Sequence, residues 1–186
     1  VSKKETNRSR LVVESAVAKK NLIVMATAII IFLIMATMAI VKWFVLQIYQ
    51  PAELLFYVVI LIALVRRVSA KYKYEIDSTC LRIAKHTVTG ETAYEVPYQN
   101  IIGIYHYQPK LIGVIKFRRT YSLHSALDGR EVWTLAYTVT GRQGKAEICR
   151  IYFKPGEDLL LELKAVMPDK VMVAEDVVIK KTITDD

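Results

Sequence analysis

Residues 22–41 run for twenty positions without a charged side chain, and Thr27 and Thr37 are the only polar members. As a helix this run is about 30 Å long, the thickness of a bilayer's hydrocarbon layer. Both threonines can bond the carbonyl one turn back. Eleven of the twenty are Leu, Ile, Val or Phe, each favouring insertion by roughly 0.3–0.6 kcal/mol near the bilayer centre. The whole chain of 186 residues is 53% hydrophobic and 24% charged. That charged fraction is ordinary for a globular protein, so the apolar excess is segregated along the chain, and a membrane segment is expected. A cleaved leader fits less well, because its apolar core is usually about 7–15 residues long and starts nearer the chain end.

A second, shorter apolar stretch covers residues 54–65, a length that also suits a buried or re-entrant helix. Pro51 suits the first turn of a helix and Glu53 its positive end. Counted from Pro51 to Arg67 the segment has 17 residues, about 25 Å, and it reaches across a bilayer if Arg66 and Arg67 extend to the headgroups. Two transmembrane helices over residues 21–68 are therefore expected. Lys3, Lys4, Arg8, Arg10, Lys19 and Lys20 precede them and Arg66, Arg67, Lys71 and Lys73 follow, whereas the connection between residues 42 and 53 has only Lys42. By the positive-inside rule both termini are cytoplasmic, at the plasma (bacterial inner) membrane. Trp43, Phe44, Tyr49 and Tyr57 lie where an interfacial aromatic belt would, so Trp43, Tyr49, Arg66 and Arg67 are the expected membrane-interface residues. Neither stretch holds a mid-membrane charge or a glycine, which marks an anchor rather than a transport path. Ala26, Ala36 and Ala39 line up loosely and leave room for a partner helix.

From residue 69 the pattern turns to alternation, with turn signals every eight to twelve residues, as in an all-β domain. Strands are expected at 71–77, 80–87, 92–96, 101–107, 112–119, 131–139 and 145–153. The stretch 120–127 reads either as a strand extension into a hairpin around Asp128-Gly129 or as a loop. Pro155, Glu157 and Asp158 then open a helix with an apolar stripe of Leu159, Leu160, Leu163 and Val166, which Pro168 stops. The tail, 169–186, has Val-rich patches at 171–173 and 177–179 that could add an edge strand or bind a partner.

Seven strands followed by one amphipathic helix resemble the pleckstrin-homology-like (PH-like) barrel. Tyr94-Glu95-Val96-Pro97-Tyr98-Gln99-Asn100-Ile101 is similar to the strand, turn and re-entry midway through bacterial PH-like domains. Ile151-Tyr152-Phe153-Lys154-Pro155-Gly156-Glu157-Asp158-Leu159-Leu160 is similar to their last strand and closing helix. The resemblance covers about residues 71–168. It departs from the eukaryotic family in lacking a Trp in the closing helix, which bears on phosphoinositide recognition more than on the fold. The expected fold class is thus a membrane α-hairpin plus a mainly-β PH-like barrel of seven strands closed by a C-terminal helix. Its parts are a basic segment at 1–20, the hairpin at 21–68, the β domain at 69–168 and the tail.

Cys80 and Cys149 are too few and too far apart in sequence for a disulfide scaffold or a zinc knuckle, and read as free thiols. His86, His106 and His124 fall on or near separate strands without metal-ligand spacing. No nucleophile elbow, P-loop or dinucleotide fingerprint occurs, so neither catalysis nor a metal or cofactor is expected. The net charge of +8 is divided between residues 1–20 and 66–186. In PH-like lipid binders the anion site uses basic residues near the first hairpin, which this resemblance carries to Lys71, Lys73, Arg82 and Lys85. Lys116, Arg118 and Arg119 at one strand end are further candidate contacts for anionic lipid headgroups. Each Lys or Arg near an anionic leaflet contributes about 1 kcal/mol, whereas a solvated basic face needs no ligand at all. No stacking motif for nucleic acid is present. The expected function is a membrane-anchored binding platform for a protein partner or anionic lipid; the alternative is an accessory or assembly subunit of a larger membrane complex.

Overall fold

The computed structural model describes residues 11–107, 117–141 and 144–174. In chain order these form β1 (Val12–Glu14), α1 (Lys19–Leu46), α2 (Pro51–Ser69), β2 (Lys71–Ile76), β3 (Cys80–Thr87), β4 (Gly90–Pro97), a 3₁₀ turn (Tyr98–Asn100), β5 (Ile101–His106), β6 (Arg119–Ser122), β7 (Trp133–Thr140), β8 (Ala146–Phe153) and α3 (Glu157–Val166).

The apolar run lies inside α1, whose 28 residues make about 42 Å of helix. Its most apolar 18-residue window is only 11% buried, so α1 is not the core helix of a globular fold. Gln47, in the left-handed region at φ 54°, ends it, and Ile48 N–H donates to Lys42 O at 3.3 Å. The chain turns back within four residues, and Lys42 meets Glu53 across the turn at 3.5 Å. Phe32 and Tyr57 touch further along, with ring centroids 6.4 Å apart, so α1 and α2 run antiparallel. Ala36 and Ala39, on the helical face of Phe32, are the buried residues of α1.

Two transmembrane helices were expected; α1 is the one helix long and apolar enough to cross a membrane among the described residues. Every 18-residue window of α2 holds Glu53, Arg66 and Arg67. What remains between those charges, residues 54–65, is about 18 Å of apolar helix against a layer of about 30 Å.

The first sheet has the order β1-β2-β3-β4 and the second β5-β7-β8-β6. All pairings are antiparallel except that of β6 with β8, which is parallel. Tyr72, Tyr74 and Ile76 of β2 stand opposite Lys85, Ile83 and Leu81 of β3, and the apolar members of these rows face the core. Val96, Ile101, Ile104, Leu135, Ile151 and Phe153 join them, and Leu159, Leu160 and Leu163 bring the buried face of α3 onto the same core. Val166, expected in that stripe, is 45% exposed, and Met167 is buried instead.

The expected seven-strand barrel does not form. Neither sheet closes on itself, because β6 lies outside β8 rather than continuing a meander. The edges β4 and β6 meet through side chains, with the Tyr94 and Tyr121 rings 5.6 Å apart. The first sheet also gains a strand from the part expected to be only a basic segment ahead of the helices: β1 pairs with β2 from Val12 opposite Glu75 to Glu14 opposite Lys73. Most of the expected strand at 112–119 falls outside the described residues, as does the 177–179 patch. Asp128-Gly129 is not a hairpin turn, since β6 and β7, the strands it connects, do not pair and β8 lies between them. Val171 does reach β5, in an isolated parallel bridge with Ile104.

Candidate functional site

Two places join the helices to the β domain, and together they frame the candidate site. At the first, the loop after β6 grips the start of α1. Ala18 N–H donates to Leu127 O at 2.9 Å, Ala16 N–H donates to Asp128 Oδ2 at 3.2 Å, and Asn21 Nδ2 donates to the carbonyls of Leu127 and Asp128. A Cβ on Gly129 would stand 2.9 Å from the Cβ of Ala18, so this glycine allows a close approach. Asp128 is fully buried. Arg130 Nε donates to its two oxygens at 3.0 and 3.1 Å, while Arg130 Nη2 also donates to Glu14 O at 3.0 Å and Nη1 to Pro155 O at 3.2 Å. Lys154 Nζ donates to Asp128 O. Burial pushes the Asp128 carboxyl upward, but the bonds from Arg130 and Ala16 outweigh it and hold it below its ordinary value.

At the second place, the C-terminal turns of α2 face the tip of the β3–β4 hairpin across a cleft of about 700 Å³. Leu61, Ile62 and Val65 form its apolar wall, and Arg66, Lys85 and Thr92 are among its polar lining. Positions 61, 62, 65 and 66 share one face of a helix. Lys85 and Thr92 are cross-strand partners. Lys85 continues the inward-facing row of Leu81 and Ile83 past the end of the core, and its ammonium lies 6.0 Å from the Tyr72 ring centroid.

The structure separates the basic residues singled out from the sequence. Lys73 pairs with Glu75 at 2.9 Å, and Arg82 lies between Glu75 at 4.0 Å and Glu95 at 3.7 Å. These belong to the outward face of the first sheet and are already compensated. Arg118 pairs with Glu147 at 3.7 Å in the second sheet, and Arg119 bonds the side chain of Tyr121, which raises its pKa. Lys116 lies outside the described residues. Lys71 is exposed at the start of β2, opposite His86. Arg66 and Lys85 thus come to one cleft, whereas Arg67 and Lys71, on either side of the α2–β2 junction, are not part of its lining. Among the described residues none of the four has a carboxylate partner. The threonines of the hairpin tip, Thr87, Thr89 and Thr92, complete the cleft; sequence reading passed over them, since nothing local distinguishes them from turn residues.

At the other end of the helices Trp43 packs edge-on against Tyr49, with centroids 4.6 Å apart, and stacks on Phe44. The aromatic residues expected at a membrane interface therefore cluster at the α1–α2 turn. The histidines are dispersed. His86 meets Glu91 at 3.6 Å, His106 meets Glu131 at 3.2 Å, and His124 is half-buried. Cys149 is buried and Cys80 half-buried, both as free thiols, and burial pushes both pKa values up. No family model, curated protein or solved structure matches this chain.

Proposed function

We propose that this protein is a membrane-anchored binding platform that acts without catalysis, with α1 held in the bilayer and the β domain kept against its cytoplasmic face for a protein partner or anionic lipid. The observation that carries this reading is the β1–β2 pairing. The strand before α1 is bonded to the strand after α2, so the chain on either side of the helical pair belongs to one β domain, which α1 tethers from within its own sheet. A leader removed from the chain would take β1 with it and strip the first sheet of its edge.

Three further features support the reading. Most of α1 is exposed apolar surface, which has no place in water. The ends near the β domain carry Lys19, Lys20, Arg66 and Arg67, whereas at the α1–α2 turn Lys42 is paired with Glu53; that asymmetry favours a cytoplasmic β domain. Ala36 and Ala39, the small residues that could admit another helix, are already covered on the face toward α2, which favours a self-sufficient anchor over a subunit packed on foreign helices.

Thiol labelling tests the arrangement. In a Cys80→Ala, Cys149→Ala background, Tyr49→Cys is expected to react with an impermeant maleimide added outside intact cells, and Ser78→Cys, exposed on the β domain, only after the membrane is opened. The reverse pattern, or release of the protein by alkaline carbonate, overturns the proposal.

A further inference from the structure

We propose that the cleft between α2 and the β3–β4 hairpin tip binds one anionic phospholipid, with its phosphate between Arg66 and Lys85 and an acyl chain along Leu61, Ile62 and Val65. This rests on the reading that α1 anchors the protein in the bilayer, and it goes further by giving the platform a defined ligand site.

The cleft is amphiphilic in a fixed direction. Its apolar wall is the C-terminal part of α2, and Arg66 follows that wall directly in sequence. Lys85 and Thr92 close the opposite side from the sheet. Among the described residues none that lines the cleft is acidic. Two cations with no carboxylate partner among the described residues therefore share one opening, while Lys73 and Arg82, close by in the same sheet, form ion pairs with Glu75 and Glu95. A cavity of about 700 Å³ is within the range that holds a small-molecule headgroup. The continuous apolar wall selects a lipid over a soluble phosphate, which would leave that wall wet. Val88, 85% exposed at the hairpin tip beside the cleft, puts a branched apolar side chain there, as a surface that dips into the headgroup layer would require.

Native mass spectrometry of the full chain in detergent, titrated with phosphatidylglycerol against phosphatidylcholine, tests the site. One phosphatidylglycerol is expected to be retained selectively. Arg66→Gln and Lys85→Gln should each weaken retention about fivefold and the double variant roughly thirtyfold. Thr92→Asp, which puts a carboxylate into the cleft from another element, should abolish selectivity, and Lys73→Gln should leave it unchanged. Glycerol phosphate at millimolar concentration should not displace the lipid. Equal retention by the wild type and the Arg66→Gln, Lys85→Gln double variant overturns the site, as does weakening by Lys73→Gln to the same extent, or displacement by glycerol phosphate. Carbonate extraction of the same samples separates the two proposals: a protein that stays in the membrane yet fails these tests overturns the lipid site alone, and one that is extracted overturns both.

Discussion

The Asp128 carboxylate has no exposure to solvent, yet it is ionised, because Arg130 and the Ala16 amide supply the bonds that water would have made. Removing one partner of such a pair leaves an uncompensated charge, which costs about 3–5 kcal/mol. Asp128→Ala is therefore expected to lower the stability of the β domain by that order in urea unfolding, and to free the segment before α1, since Arg130 would also lose its hold near Glu14. The pH dependence follows from the depressed pKa of Asp128. Its stabilisation is fully present above the ordinary carboxylate value and is lost as pH falls through the lower folded value. His124 behaves in the opposite sense. Burial, with Lys154 and Arg67 nearby, lowers its pKa against the smaller upward pulls of Ser125 and Asp128. The unfolded chain thus binds a proton that the folded chain refuses, and stability falls as pH drops below about 6.5. Urea midpoints measured at pH 7.5 and 5.5 should differ less for His124→Gln than for the unmodified protein.

Among the elements, β2 and β3 were the easiest to read, and β1, in the same sheet, was not readable at all. β2 and β3 alternate over six and eight residues, long enough for a period of two to show. β1 has three residues, Val-Val-Glu, inside a segment whose basic charge dominates its texture, and its partner is about sixty residues away across the helical pair. Val13 nevertheless packs on the core. Val13→Asp should detach β1, and hydrogen exchange should then show lost protection at the amides of Ile76 and Tyr72, which donate to Leu11 O and Ser15 Oγ, while β7 and β8 stay protected. The α3 helix was legible from its carboxylates, its leucines and the proline beyond it. Leu163, fully buried, should cost about 2–5 kcal/mol when replaced by Ala. The parallel pairing of β6 with β8 was not legible, since an amphipathic strand carries the same pattern whichever way its neighbour runs.

At the scale of the whole molecule, the helical pair and the β domain form one unit, joined by the Asp128 loop at one end of α1 and by the short α2–β2 junction at Ala70, which is buried. The domain cannot swing far from the helices without breaking β1 from β2. On the proposed reading, labelling at Tyr49 and Ser78 should therefore report opposite compartments within each molecule. The candidate site belongs to this scale as well. Lys71, Lys73, Arg82 and Lys85 are neighbours along two adjacent strands, but alternation sends Lys73 and Arg82 to an outer face with Glu75 and Glu95, and Lys85 inward past the core toward Arg66.

The sequence by itself determined the one helix long and apolar enough to cross a membrane, most strands of the first sheet and α3, because each depends on a local run: twenty residues without charge, an alternation of two, a stripe of leucines. Only the tertiary structure decided that the chain ahead of α1 is part of the β domain, that the sheets stay open, and which cations remain uncompensated. Those outcomes depend on pairings between residues far apart in the chain, where the same charge or the same short apolar segment can be satisfied by any of several partners, and the local pattern contains no information about which one is within reach.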